Sequence, residues 1–191
     1  MGRPRTISDD TVVSGLTATF RADGYAAASL STLAQSSGLR SASLYHRFPD
    51  GKAGMALAVL AEVERRFTHV LEPLDAGASR SPASDVAEMA RRLAEFYADG
   101  ELACVLDTMT VGDAPAAVVA RARALARAWV DAMAHASARA GSDTAQARRR
   151  ALDAFVRVEG ALVASRVLGD VTPFGDVVAD LPDLLTRQDV P

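Results

Sequence analysis

Cysteine is almost absent from this 191-residue chain. Cys104 stands alone, so neither an intramolecular disulfide nor a cysteine-based zinc site is open to it. Lysine is as scarce: Lys52 is the only one, and every other cation is arginine. Aromatic residues make up 5%. Strands favour β-branched and aromatic side chains, so this scarcity, beside abundant alanine, argues for close-packed helices. No apolar run approaches the roughly 20 residues needed to cross a bilayer, and the start shows no signal-peptide pattern. A soluble cytoplasmic protein with no membrane partner is the expectation. The histidines His46, His69 and His135 lie far apart and lack ligand spacing. There is also no glycine-rich phosphate loop, no nucleophile motif with a base and no paired-carboxylate pattern. No metal, no cofactor and no enzymatic activity are therefore expected.

Hydrophobic residues, at 49%, are enough for a real core in a chain of this length. The net charge of −3 does not by itself point to nucleic acid, but its distribution is uneven. Residues 1–52 carry six cations (Arg3, Arg5, Arg21, Arg40, Arg47, Lys52) against four acids (Asp9, Asp10, Asp23, Asp50) and are net positive; the remainder is net negative. A basic head on an acidic body suits a protein that meets phosphate at one end, although a difference this small also arises by chance.

Helix punctuation organises the head. Ser8 is a good N-cap, and Asp9 and Asp10 put negative charge on the first turn, where the helix dipole favours it. Val12, Leu16 and Phe20 then make one apolar stripe, and Gly24 is the expected stop. Ser29 caps a second helix that turns Leu30, Leu33 and Ala34 inward and ends at Gly38. A third helix, capped near Ser41, faces the core with Leu44 and Phe48 and stops at Pro49. Two short helices joined by a three- or four-residue turn containing glycine form a helix-turn-helix pattern. A long fourth helix is expected from Asp50–Lys52 to about Leu71, carrying Met55, Val59, Leu60, Val63 and Phe67. A loop of roughly a dozen residues follows, broken by Pro73, Gly77 and Pro82.

From Pro82 the pattern remains helical: Val86 to Tyr97, a shorter stretch from Leu102 to Val111, Val118 to Met133, a long helix capped at Ser142–Asp143 that runs to about Leu168, and a last helix opened by Thr172 and Pro173. Leu152, Phe155, Val156, Leu162 and Val163 supply the apolar face of the long helix. Pro182 is expected to kink or split the last one. No strand signal is found. The fold class is all-α, about nine helices, with a head at 1–51 and a larger body at 52–191.

Phe20-x-x-x-Gly24-Tyr25, Ser29-Leu30, Leu33-Ala34, Gly38-Leu39, Ser43-Leu44-Tyr45-His46 and Phe48 together resemble the TetR-type transcriptional regulators (TetR/AcrR). The linker Phe48-Pro49-Asp50-Gly51-Lys52, one residue longer than the common form, is similar to that of the LmrA/YxaF-like subgroup, as is Val158-Glu159-Gly160-Ala161-Leu162. The resemblance implies an Ω-shaped homodimer whose two third helices read a palindromic operator in double-stranded DNA. It also implies a body that binds a small-molecule effector. The expected function is a repressor released by a hydrophobic or amphipathic ligand. The alternatives are a ligand-independent regulator or activator, or an all-helical interaction protein without DNA binding.

Site residues follow from both readings. Arg3 and Arg5 form a short basic arm that can reach the DNA backbone or minor groove, or fray in solvent. Tyr45 and His46 fall where the resembled family meets phosphate, and the Ser29 hydroxyl and the Lys52 ammonium can meet one as well. Ser29 also serves as a cap, and Tyr45 can equally be a packed ring. Lys52, a cation on the first turn of a helix, goes against the dipole and calls for another reason to be there. Arg40, Ser41, Ala42 and Ser43 are the base-reading candidates, with Ser31 within reach. Arg40 suits a two-pronged contact to guanine, or else a phosphate contact or a solvated turn, and Ala42 offers only apolar contact. For the ligand, Phe67, Met89, Phe96, Tyr97, Met109, Trp129 and Met133 either line a cavity or are plain core. Asp107, a polar interruption of an apolar stretch, needs a partner if buried. For the dimer, the candidates are Phe155, Glu159, Gly160, Val163, Arg166, Phe174, Val178, Leu181 and Leu185, with Glu159 and Arg166 able to pair across the two-fold.

Overall fold

In the computed structural model, which describes residues 7–75 and 81–187, helices account for nearly all regular structure and no strand occurs among the described residues. The order is α1 (Asp9–Ala27), α2 (Leu30–Ser37), α3 (Ser41–Arg47), α4 (Gly51–Asp75), α5 (Pro82–Phe96), a 3-10 turn (Ala98–Gly100), α6 (Val105–Thr108), α7 (Ala116–Arg139), α8 (Thr144–Leu168) and α9 (Thr172–Thr186). Packing divides the chain into two units: Met1–Glu64 with Val105–Ala124, and Arg65–Cys104 with Leu125–Pro191.

Local chemistry explains four of the helix starts. The Ser8 side chain accepts from the Thr11 amide, Ser29 from Thr32, Ser81 from Ser84 and Asp143 from Gln146. Each satisfies one of the amides that a helix start leaves without a partner. Helix ends depart further from expectation. The helical run from Asp9 breaks at Gly24 as expected, in a kink with φ 72° and ψ 175°, but a further helical turn then follows to Ala27. That kink folds Tyr25 back to stack on Phe20 at 6.0 Å. Helix α3 is capped by Arg40 rather than Ser41, without a side-chain cap bond. Helix α4 continues past Leu71 and through Pro73 to Asp75. The stretch expected to be helical from Leu102 to Val111 shrinks to the four residues of α6, and a 3-10 turn precedes it. Pro182 does not split α9, which runs through it from Thr172 to Thr186.

The first unit is cored by Val12, Leu16, Phe20, Leu33, Leu44, Met55, Val59 and Leu60, all 1% exposed or less. Burial of side chains of this size is worth about 1.5–3 kcal/mol each. The second unit packs α9 against α5 and α8. Its core includes Met89, Leu93, Trp129, Met133, Val158, Phe174 and Leu181. On its surface, Arg92 joins Glu88 at 2.8 Å and Glu72 at 2.8 Å, linking α5 to α4. Hydrogen bonds from Arg91 and then Arg92 pull the Glu88 carboxyl down to about 2.

Candidate nucleic-acid interface

The head is built on a close crossing of α1 and α2. A Cβ placed on Gly15 would stand 2.1 Å from the Ser36 carbonyl oxygen, so only glycine allows this approach. The Thr19 hydroxyl donates to Ser36 Oγ at 2.7 Å and fastens the crossing. Helix α2 ends at Gly38 in the left-handed region (φ 71°), and the chain turns through Leu39 and Arg40 into α3. An Arg47–Asp9 ion pair ties the end of α3 to the start of α1.

Within α3 only Leu44 is buried. Its anchoring turns Ser41, Ala42, Ser43, Tyr45 and His46 outward, with Arg40 exposed ahead of them. Ser31 is also exposed, on the first turn of α2. The arrangement can present an arginine, three small residues and an aromatic–histidine pair to one partner surface. Tyr45 is 46% exposed, which removes the packed-aromatic alternative. Ser29 performs its capping role, its oxygen accepting from the Thr32 amide at 3.0 Å. Arg3 and Arg5 lie outside the described residues.

Lys52 has an intramolecular place that the sequence did not reveal. Its ammonium donates to the Ala26 carbonyl at 3.1 Å and lies 4.6 Å above the Tyr25 ring. Burial, with the Asp113 charge a smaller cause, raises the Tyr25 hydroxyl above its ordinary pKa. Lys52 thus closes the C-terminal end of α1, where a cation and a donor both suit the unpaired carbonyls. This is a physical reason for a cation at the start of α4 that needs no phosphate. Lys52→Met is expected to lower Tm by a few degrees, in line with a charge-assisted bond worth about 1.5–3 kcal/mol. The same change should leave the salt dependence of DNA binding unaltered. A slope reduced by about one in a filter-binding series would place the ammonium on a phosphate instead.

Candidates in the body separate into groups. Met89, Tyr97, Trp129 and Met133 are buried in the second unit, with Phe67 and Phe96 half-buried beside them. Met109 is fully buried but belongs to the first unit, and Asp107, in the same unit, is exposed and needs no buried partner. Among the dimer candidates, Phe174, Leu181 and Leu185 are 1% exposed or less. They are core of their own chain, because α9 turns its apolar face onto α5 and α8. Phe155 also faces inward, edge-on to Trp129 at 5.2 Å. Glu159 and Val178 are half-buried, whereas Gly160, Val163 and Arg166 are exposed.

Helix α8 carries two apolar faces rather than one. Ala147, Ala151, Ala154, Val158, Ala161 and Leu162 are buried. Leu152, Val156, Val163 and Val167 are 42–75% exposed, and a Cβ added to Gly160 on the same side would meet nothing within 4 Å. Positions 152, 156, 160, 163 and 167 recur at three and four residues, so they share one stripe. That spacing was visible in the sequence. The face that α8 turns to its own chain is rich in alanine (Ala147, Ala151, Ala154, Ala161) but also holds Val158 and Leu162.

Residues 13–59 match the family model described as bacterial regulatory proteins, tetR family. The match covers the head and the first turns of α4, about a quarter of the chain. The fold of the whole chain is that of solved TetR regulators. It superposes on a TetR transcriptional regulator from Legionella pneumophila with TM-score 0.82 at 19% identity, covering 96% of this chain and 100% of that one. A cysteine mutant of the TetR family regulator CifR, complexed with 26-bp double-strand operator DNA, gives 0.69 at 23% identity over 98% and 100%. FadR from Bacillus subtilis, in complex with stearoyl-CoA, gives 0.71 at 10% identity over 96% and 100%. No curated protein matches the sequence. No helix among the described residues is long and apolar enough to cross a membrane.

Proposed function

We propose that this chain is a cytoplasmic, sequence-specific DNA-binding transcriptional regulator, a repressor that leaves a palindromic operator when its body takes up a small ligand. The observation that carries the reading is α3. One buried leucine anchors a seven-residue helix whose other side chains from Ser41 to His46 all face outward, at the positions where the tetR-family domain matches. In this reading residues 1–51 are the DNA-binding head and 52–191 the ligand-binding and dimerisation body, with no enzymatic role. Arg40, Ser41, Ala42 and Ser43, with Ser31, read bases; Ser29, Tyr45 and His46 hold phosphate. The five-residue Phe48–Lys52 linker supports the LmrA/YxaF-like subgroup. Release follows if ligand favours a head spacing that no longer fits the operator. Operator-bound and ligand-bound chains of the same fold, CifR and FadR, support the two halves of this cycle.

A gel shift with the DNA upstream of the chain's own gene tests the reading. Specific, competitor-resistant binding is expected. Arg40→Ala should weaken it by about 1–3 kcal/mol, the worth of a good base contact, and relax preference at one position per half-site. Absence of any specific complex would leave the interaction-protein alternative.

The exposed stripe on α8 supports a homodimer, since adjacent branched apolar residues on one helix face stay in water only at a cost. Light scattering at micromolar concentration is expected to give twice the chain mass. Val163→Glu should shift it to a single chain mass while helix content by circular dichroism holds. A wild-type monomer would refute the dimer.

A further inference from the structure

The six aromatic residues beyond position 52 are spread from Phe67 to Phe174, yet they form one continuous series of ring contacts. Phe155 lies edge-on to Trp129 (5.2 Å), Trp129 to Phe67 (4.9 Å), Phe67 to Phe96 (5.2 Å), Phe96 to Tyr97 (5.0 Å) and Tyr97 to Phe174 (5.9 Å). Every ring belongs to the second unit. Edge-to-face geometry accounts for the stacking order, because the positive rim of one ring meets the negative face of the next. It does not account for one polar atom in the series.

Trp129 is 0% exposed, and its Nε1–H has no hydrogen-bond partner. A buried indole N–H ordinarily finds an acceptor, and leaving it without one is costly. The rings in edge contact with the indole, Phe67 and Phe155, offer no oxygen or nitrogen acceptor, only a weak π face. A lone water would need two or more polar partners, which these rings do not supply. Phe67, Phe96 and Phe155 are only half-buried, so the series has an open side.

We infer that the effector of this chain is a neutral, planar aromatic molecule with a carbonyl or similar acceptor at its rim, held among these rings with that acceptor on Trp129 Nε1. This deepens the ligand-release reading and rests on it for the consequence at the operator, but not for binding itself. Planarity follows from walls made of flat rings. Neutrality follows because the indole gives one donor and no full charge, so an ionised ligand would be buried without a counter-ion.

The chain contains a single tryptophan, so its indole N–H gives one resonance in a 15N-correlated proton spectrum and reports this site alone. The full chain is titrated with 1-indanone and, separately, with indane, which has the same bicyclic frame but no carbonyl. Indanone should bind about fivefold or more tightly than indane, as one neutral hydrogen bond allows, and move the indole proton downfield. Indane should leave that proton near its free position. Trp129→Phe should make the two affinities equal. Because that variant removes a core ring, the paired titration of the unaltered chain decides the matter if the variant does not fold. Equal affinities in the unaltered chain, an unmoved indole proton, or no binding of either compound would overturn the proposal. A gel shift run beside the titration separates it from the function it rests on. Binding of indanone that leaves the operator complex intact supports the site and refutes release, whereas a stable operator complex with no indanone binding refutes the site alone.

Discussion

Gly15→Ala is expected to unfold or displace the head, although alanine is the better helix former. Propensity favours the change by about 0.8–1 kcal/mol. Against it, the new methyl carbon would lie 2.1 Å from the Ser36 carbonyl oxygen, 2.5 Å from its carbon and 2.9 Å from the Ser37 nitrogen. All three are backbone atoms, so no side chain can rotate away. Helix α2 must lift from α1 as a body, and the Thr19–Ser36 hydrogen bond lengthens with it. Overpacking of this kind costs about 1–3 kcal/mol or more, so the net change is destabilising. A thermal melt should show a drop of several degrees, and specific DNA binding should fall by more than the melt implies. Helix α3 hangs from α2 through the Gly38 turn, and a shift of α2 re-aims Arg40 to Ser43 together. Gly175→Ala is the control. No atom lies within 4 Å of the added carbon, and that residue sits in α9 rather than in the head, so the melt should hold or rise. A Gly15→Ala protein with unchanged melt and DNA affinity would show that the crossing is looser than 2.1 Å requires.

The same example marks the limit of the sequence. Helix starts were legible because a cap is local: Ser8, Ser29 and Asp143 each bond an amide three residues ahead. The outward set on α3 was legible for a similar reason, since a single leucine in seven residues fixes which face is inner. Interactions across long separations were not. A glycine inside α1 reads as a weak helix former, and nothing nearby says that another backbone crosses there. Lys52 reads as a misplaced cation until Ala26, 26 residues earlier, is found beneath it. The apolar face of α9 read as a partner surface, because periodicity gives a direction but not a neighbour. The neighbour is this chain's own α5 and α8, and the apolar stripe that stays exposed is on α8.

Arg139→Met is expected to be among the most damaging single changes in the second unit. Arg139, in the last turn of α7, reaches the Asp85 carboxylate and also donates to the Leu74 carbonyl at 2.7 Å. One guanidinium thus joins the end of α4, the start of α5 and the end of α7. Asp85 is 3% exposed, and the two partners are 54 residues apart. Methionine preserves most of the packing of the arginine stem, so what is lost is the charge and its two bonds. The carboxylate then remains buried with no counter-ion, a situation that costs about 3–5 kcal/mol. The pair itself is worth far less than that figure. Removing both ends with Asp85→Ala and Arg139→Met should recover most of the loss, because no buried charge is left to compensate. A double-mutant cycle by urea unfolding checks this, and a double variant no more stable than Arg139→Met alone would contradict it. The direction of recovery identifies the role. If the pair chiefly fixes how three helix ends meet, the double variant should fold at near wild-type stability, yet its ligand titration should show a weakened preference for indanone over indane. The Trp129 indole and the Arg139 guanidinium lie on the same α7, and loosening one end of that helix loosens the aim of the other.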